Sequence, residues 1–132
     1  MFEVDVIIAD GSTVTIREVR SEDYQLLKSF LYSLSASTLA YRFFSAGINK
    51  DEVIKHLLEG DGISLIALRQ GKVIDHASCH LKDDKKAEMS IVVHDEFQGK
   101  GLGTKLLEIL TELAHRKGVE VFEAHVLSDT LR

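Results

Sequence analysis

The chain contains no proline, no tryptophan and only one cysteine. A lone cysteine cannot form an intrachain disulfide, and because Cys79 lies in a strand-like stretch we predict that it is a small buried hydrophobe. No apolar run approaches the roughly 20 residues of a membrane span, and the N-terminus lacks the basic and then apolar pattern of a signal peptide. These absences predict a cytoplasmic protein that does not cross a membrane.

Positive charge is also scarce, with 16 lysines and arginines against 21 acidic residues and a net charge of −5. That balance disfavours nucleic acid as an electrostatic partner and would suit a basic peptide substrate better. The chain has 132 residues, 45% of them hydrophobic, which is enough to bury a core. We therefore expect a single globular domain over residues 1–132.

One stretch, residues 87–117, combines a strand, a glycine-rich turn and a helix. The strand ends in an apolar run, and the turn that follows has three glycines within five residues, at Gly99, Gly101 and Gly103. Apolar residues then recur at the spacing of one helix face, at Leu102, Leu106, Ile109, Leu110, Leu113 and Ala114. Backbone N–H groups converge in such a turn and the helix dipole adds positive potential. Residues 98–104, here called the cradle, are therefore predicted to bind an anion.

Two common phosphate-binding motifs fit the cradle poorly. A P-loop would need a glycine five residues before Gly103, and Gln98 stands there. A dinucleotide-binding pattern would run through Gly99 and Gly101 but meets Thr104 at its third glycine position. The sequence therefore excludes a P-loop and supports a dinucleotide-binding turn only weakly.

The rest of the chain predicts short strands and helices in a definite order. Asp10-Gly11 is a hairpin turn between strands at 4–9 and 12–17, and Ser21 is the expected N-cap of a helix to about Leu34. Further helices are predicted at 37–44 and, after a capping box at Asn49, through Leu58. Period-two patterns predict strands at 63–69, 72–81 and from 87, and a last strand at 119–127, which follows the helix ending at Gly118 and runs parallel to the strand before that helix.

The pattern Gln98-Gly99-Lys100-Gly101-Leu102-Gly103 after an apolar strand resembles the coenzyme A pyrophosphate loop of the GNAT superfamily of N-acetyltransferases. The predicted order of elements is also the GNAT order, so the resemblance covers nearly the whole chain. It implies an α/β fold with a mixed, mostly antiparallel sheet, a splayed parallel strand pair and flanking helices. More narrowly, residues 14–23, 34–37 and 41–44 are similar to bacterial protein-lysine acetyltransferases.

This resemblance implies a function and a set of site residues. The implied reaction is transfer of an acetyl group from acetyl-CoA to a primary amine, with a protein lysine as the expected acceptor. The cradle would hold the CoA pyrophosphate through backbone amides, and the preceding strand would pair with pantetheine. The implied CoA-binding residues are Ile91, Val92, Val93, Gln98, Gly99, Lys100, Gly101, Leu102, Gly103 and Thr104.

Glu88 is the residue that the resemblance implies as general base. Period two places Glu88, Ser90 and Val92 on one face of the strand. An acceptor lysine enters as an ammonium group with a pKa of about 10.4, so freeing its amine at pH 7 costs about 4–5 kcal/mol. A partly buried carboxylate with a raised pKa would remove that proton, and a backbone N–H near Val93 would polarise the thioester carbonyl. The alternative is that Glu88 is an ordinary solvent-facing residue beside Lys86.

Two histidines on one predicted strand raise the question of a metal site. His76 and His80 alternate on one strand face, but no third ligand with suitable spacing is evident, so we expect exposed histidines and no metal site.

GNAT domains usually continue with another helix and a hairpin, and this sequence stops near the predicted last strand. We therefore expect either a homodimer through the 119–127 edge or a chain trimmed from a longer one. A non-catalytic CoA-binding or regulatory module is the alternative to an enzyme.

Overall fold

A computed structural model describes residues 2–35, 50–59 and 62–124. These residues form a six-stranded sheet whose strands lie side by side in chain order. The first five strands pair antiparallel, and the sixth pairs parallel with the fifth. The strands are β1 (Glu3–Ile7), β2 (Thr13–Glu18), β3 (Ile63–Arg69), β4 (Lys72–Leu81), β5 (Lys86–Val93) and β6 (Val121–Ala124). The predicted mixed, mostly antiparallel sheet is confirmed.

The described helices are α1 (Tyr24–Ser33), α2 (Lys50–Glu59) and α3 (Leu102–Arg116). Short 3-10 turns precede α1 and the cradle, at Ser21–Asp23 and Asp95–Phe97. Three predicted helices are confirmed, namely the one that starts near Ser21, the one that runs through Leu58 and the one that follows the glycine-rich turn. The predicted helix at 37–44, Asn49 of the capping box and residues 125–127 of the last strand lie outside the described residues.

The predicted N-cap role of Ser21 is wrong. Ser21 is the first residue of the 3-10 turn, and the carboxylate that organises this turn belongs to Asp23, which accepts from the backbone N–H of Arg20 at 2.6 Å. Asp23 also forms a bidentate ion pair with Arg17 of β2, at 2.8 and 2.9 Å. Both residues are buried, so this pair joins the start of α1 to the sheet.

Two apolar layers cover the two faces of the sheet. On one face α3 packs through Leu102, Leu106, Leu110 and Ala114 against β-strand residues that include Ala87, Met89, Ile91 and Val93. On the other face α1 and α2 pack through Leu27, Phe30, Leu31, Ile54 and Leu57 against Ile66, Val73 and Val92. The predicted alternation along β5 is therefore confirmed, since its odd-numbered residues face α3 and Val92 faces α1.

The β3–β4 hairpin has the predicted bounds and one irregularity. Gln70 and Gly71, both with positive φ, form its two-residue turn. The register shifts between Ala67 and Leu68, so that β4 carries one extra residue near Ile74. Beyond this bulge Asp75 lies opposite Ala67 and Val93, which belong to the layer under α3, and Asp75 is fully buried.

The histidines on β4 differ from the prediction. His76 is fully buried rather than exposed, and its Nε2 lies 2.8 Å from the hydroxyl of Ser64 on the neighbouring strand. His80 is exposed, as predicted. Cys79 is buried, which confirms its prediction as a small core residue. Within the described ranges no group of three metal-ligating side chains is found, and no helix is long and apolar enough to span a bilayer.

Candidate active site

The cradle connects the end of β5 to the start of α3. Gly99 and Gly101 both have φ of 82°, a left-handed conformation that glycine adopts without strain. Gly101 is the N-cap of α3, and no side chain caps this helix end. Among the described residues, no atom beyond the glycine and its two chain neighbours lies within 4 Å of a Cβ placed on either glycine. The start of this 15-residue helix therefore follows two exposed glycines, and its first N–H groups have no partner within the helix itself.

The end of β5 presents part of its main chain away from β4. The N–H of His94 donates to Ile74 of β4 at 2.8 Å, and because N–H directions alternate along a strand, the N–H and carbonyl groups of Ile91 and Val93 are turned to the β6 side. The side-chain amide of Gln98 donates to the Val93 carbonyl at 3.0 Å. Gln98 thus fixes the first residue of the cradle to the last residue of the strand.

The turn of the β1–β2 hairpin contacts the cradle at Lys100. The N–H of Ala9 donates to the carbonyl of Lys100 at 3.3 Å, and the Lys100 ammonium group lies 3.6 Å from the Asp10 carboxylate. Hydrogen bonds from Ser12, with a smaller effect of Lys100, lower the pKa of Asp10. Lys100 therefore faces an ionised partner within the protein.

The predicted site residues divide by exposure. Ile91, Val92 and Val93 are buried in the two apolar layers, and Leu102 and Gly103 are buried at the start of α3. Gly99, Gly101 and Thr104 are exposed, whereas Gln98 and Lys100 are half-buried. Any ligand contact of the buried residues would therefore have to come from their main chain.

Glu88 lies apart from the cradle, five residues before Val93, or about 17 Å along the strand at the usual rise per residue. It is paired with His80 of β4 on one side and with Glu123 of β6 on the other. Its side chain is 32% exposed, and one carboxylate oxygen lies 3.6 Å from the ammonium group of Lys82. Glu88 is thus a partly exposed residue with a lysine of the same chain beside it.

Sequence reasoning missed the charged cluster around Glu88, which consists of Lys82, Lys86, Glu88 and Glu123. Glu123 accepts from Lys82 and Lys86, each at 2.8 Å, and these hydrogen bonds lower its pKa to about 2. The bond to Glu123 and the nearby Glu88 raise the pKa of Lys82. Period two places Lys86 beside Glu88, but Glu123 joins them only through the parallel register of β5 and β6.

A cavity of about 540 Å³ lies on the α1 side of the sheet, beside the turn that leads into the cradle. Its walls include Phe30, Arg69, Val73, His94 and Phe97, and the Arg69 guanidinium carbon lies 5.5 Å from the centre of the Phe97 ring. Neither Glu88 nor any cradle residue lines it. The predicted site residues therefore lie outside the lining of this cavity.

The model of the acetyltransferase (GNAT) family matches residues 21–132. The chain belongs to this family. The matched part contains the cradle, Glu88 and the whole crossover from β5 through α3 to β6.

Several known proteins are similar to the chain. An acetyltransferase of Pseudomonas aeruginosa is 28% identical over 122 residues, which cover 83% of this chain and 63% of that protein. The chain thus spans less than two thirds of that relative. The crystal structure of the GNAT domain of S. lividans PAT matches with a TM-score of 0.85 and 26% identity, covering 92% of this chain and 77% of that one.

A more distant structural match is a cAMP-binding acyltransferase from Mycobacterium smegmatis. Its TM-score is 0.63 at 23% identity, and the match covers 97% of this chain but 39% of that protein. This similarity shows the shared fold.

Proposed function

We propose that this domain transfers an acetyl group from acetyl-CoA to a primary amine, with a protein lysine as the acceptor. The observation that carries the proposal is the uncapped start of α3 behind two positive-φ glycines, in a chain of the GNAT family. The GNAT domain of S. lividans PAT, with its TM-score of 0.85, supports the same reaction class.

The cradle suits the CoA pyrophosphate because it offers backbone donors without side chains in the way. A Cβ at Gly101 would occupy the space that a phosphate oxygen needs and would strain a φ of 82°. The N–H of Val93, turned away from β4 like that of Ile91, is the proposed donor to an amide group of pantetheine.

Glu88 is the proposed general base. The acceptor ammonium group gives a proton to the Glu88 carboxylate, directly or through water, and the free amine then attacks the thioester carbonyl. A C–N bond forms, the C–S bond breaks, and CoA leaves as the thiol after taking up a proton. The Ile91 N–H, about 10 Å along β5 from Glu88, is the proposed donor to the oxyanion that develops at the carbonyl.

Glu88→Gln tests the role of Glu88. We expect this variant to keep the affinity for acetyl-CoA, measured by calorimetric titration with ADP as the control ligand. We expect its kcat to fall about 100-fold or more, the usual contribution of a general base. Glu120→Gln, at an exposed position just before β6, is the matched control and should leave kcat unchanged. Full activity of Glu88→Gln would exclude Glu88 as the base.

Gly101→Ala tests the cradle. We expect its affinity for acetyl-CoA to fall at least about tenfold, because the methyl group enters the phosphate site. Gly118→Ala, at another positive-φ glycine with open space around it, controls for backbone strain and should bind normally. Equal affinities would place the pyrophosphate elsewhere.

One observation favours a second candidate, a CoA-binding module without catalysis. The carboxylate proposed as base already lies 3.6 Å from a lysine of the same chain. A module of this kind would bind acetyl-CoA and show no turnover with any amine, so that Glu88→Gln would have no activity to lose.

A further inference from the structure

The side-chain ammonium group of Lys82 lies beside Glu88, the candidate general base. It lies in the turn between β4 and β5, and its Nζ is 3.6 Å from Oε2 of Glu88 and 2.8 Å from Oε2 of Glu123. The hydrogen bond to Glu123 and the charge of both carboxylates raise the pKa of Lys82, so its amine is protonated. The molecule therefore already presents a lysine ammonium group to Glu88.

We propose that Lys82 occupies the position of the acceptor ammonium group in the free protein, and that the acceptor amine binds by exchanging with it. This inference rests on the proposed role of Glu88. A base that deprotonates an ammonium group first has to bind it at the carboxylate. Lys82 is then a competitor within the chain and a residue that determines specificity.

The charges of the cluster explain how such an exchange proceeds. Lys82 and Lys86 balance Glu88 and Glu123, whose side chains lie next to each other in the parallel register. When the acceptor ammonium group replaces Lys82 at Glu88, each carboxylate still has a cation beside it. A neutral or acidic acceptor that displaced Lys82 would leave Glu88 without a cation beside it. The cluster therefore selects a primary ammonium group, such as that of lysine.

The geometry also lets Lys82 leave Glu88 without losing its other partner. Nζ of Lys82 lies 2.8 Å from Glu123 and 3.6 Å from Glu88. Because it is already closer to Glu123, it can turn towards that carboxylate when the acceptor arrives. The Lys82 side chain is 40% exposed and that of Glu88 32%, and exposed ion pairs of this kind are weak. Lys82 thus competes with the acceptor without blocking it.

The neighbours of Glu88 provide a matched control. Lys86 lies on the same strand and binds Glu123 at 2.8 Å through the other carboxylate oxygen, Oε1. Its removal takes one positive charge from the same cluster but leaves the Lys82–Glu88 contact in place. His80, opposite Glu88 on β4, is unchanged in every variant.

Steady-state kinetics with acetyl-CoA and Nα-acetyl-lysine N-methylamide test the proposal. A competitor within the chain raises the apparent KM of the acceptor and leaves kcat alone. We expect Lys82→Met to lower that KM about two- to fivefold with unchanged kcat. Lys82→Arg should keep the wild-type KM, and Lys86→Met, which removes a charge but no contact of Glu88 with Lys82, should lower it clearly less than Lys82→Met does. An unchanged or higher KM in Lys82→Met, or the same fall in Lys86→Met, would overturn the proposal.

A binding measurement separates this proposal from the proposed function. The Lys82 side-chain signals, followed by NMR without acetyl-CoA, should shift and saturate as the lysine amide is added, and should not respond in Glu88→Gln. A response in the wild type combined with full activity of Glu88→Gln would leave the exchange standing and remove Glu88 as base. Lys82 signals that ignore the amide in the wild type would exclude the exchange, whatever the activity.

Discussion

Replacing Asp75 should stabilise this protein, and by an amount that depends on pH. Asp75 is fully buried, and neither of its carboxylate oxygens has a hydrogen-bond partner among the described residues. Burial raises its pKa well above the ordinary 3.8, and the neighbouring backbone N–H of His76 opposes this effect only in part. The folded protein therefore carries a neutral carboxyl group at this position in weakly acidic solution.

The sign of the pH effect follows from the direction of that shift. Below about pH 3.8 the carboxyl group is protonated in the folded and the unfolded chain, so it adds no pH dependence. Above that pH the unfolded chain releases the proton while the folded chain keeps it. The free energy of unfolding then falls by about 1.4 kcal/mol per pH unit until the folded pKa is reached.

Two substitutions separate this proton effect from the cost of the unpaired group. Asp75→Asn keeps the shape and removes the titration, so its stability should match the wild type near pH 4 and exceed it increasingly towards pH 7. Asp75→Val also removes the unpaired polar atoms between Ala67 and Val93, which should add a further gain of about 1–3 kcal/mol at every pH.

Urea unfolding followed by circular dichroism at pH 4, 5, 6 and 7 measures these differences. The other titrating groups are common to all three proteins, so they cancel in the comparison. A constant difference between Asp75→Asn and the wild type would show that Asp75 does not take up a proton on folding. A less stable Asp75→Asn at all four pH values would show an ionised, well-paired carboxylate and would refute the reasoning.

Two further predictions concern the fold. Gly62→Ala should lose at least about 2 kcal/mol of stability in urea unfolding, because a Cβ at this positive-φ position would collide with the Cys79 carbonyl, whereas Gly118→Ala should lose only about 1 kcal/mol. Equal losses would contradict the collision. Arg17→Met should cost about 3–5 kcal/mol by leaving Asp23 buried without its cation, and a loss below about 1 kcal/mol would contradict this account. The Arg17 hydrogen bond lowers the pKa of Asp23, so this contribution is present above pH 3.8 and is lost as the pH falls through the folded pKa.

Elements whose structure depends on residues close together in the sequence could be predicted closely. The β3–β4 hairpin has the predicted bounds because Gln70-Gly71 suits a two-residue turn between two period-two stretches. Helix α3 follows from its apolar spacing and ends near Gly118, whose positive φ reverses the chain. The strand, turn and helix around the cradle were predictable for the same reason, since they follow one another in the sequence, and anion binding there stays a prediction.

Features that depend on contacts between distant segments could not be predicted. The bulge near Ile74 places Val73 and Asp75 on opposite faces of the sheet, although simple alternation would put them on one face. His76 is buried because Ser64, twelve residues away, supplies a hydrogen bond. Lys82 lies near Glu88 beside Glu123 of β6, and the register that brings Glu123 there joins two strands separated in sequence by the whole of α3.

The contact between the β1–β2 hairpin and the cradle makes one amide proton a reporter of the ligand-binding turn. The family match begins at residue 21, so this hairpin lies before the matched region, yet the N–H of Ala9 donates to the Lys100 carbonyl. Each opening of the turn at Lys100 exposes the Ala9 amide to solvent exchange. The hydrogen-exchange rate of the Ala9 amide thus reports how often a loop some ninety residues further along the chain opens.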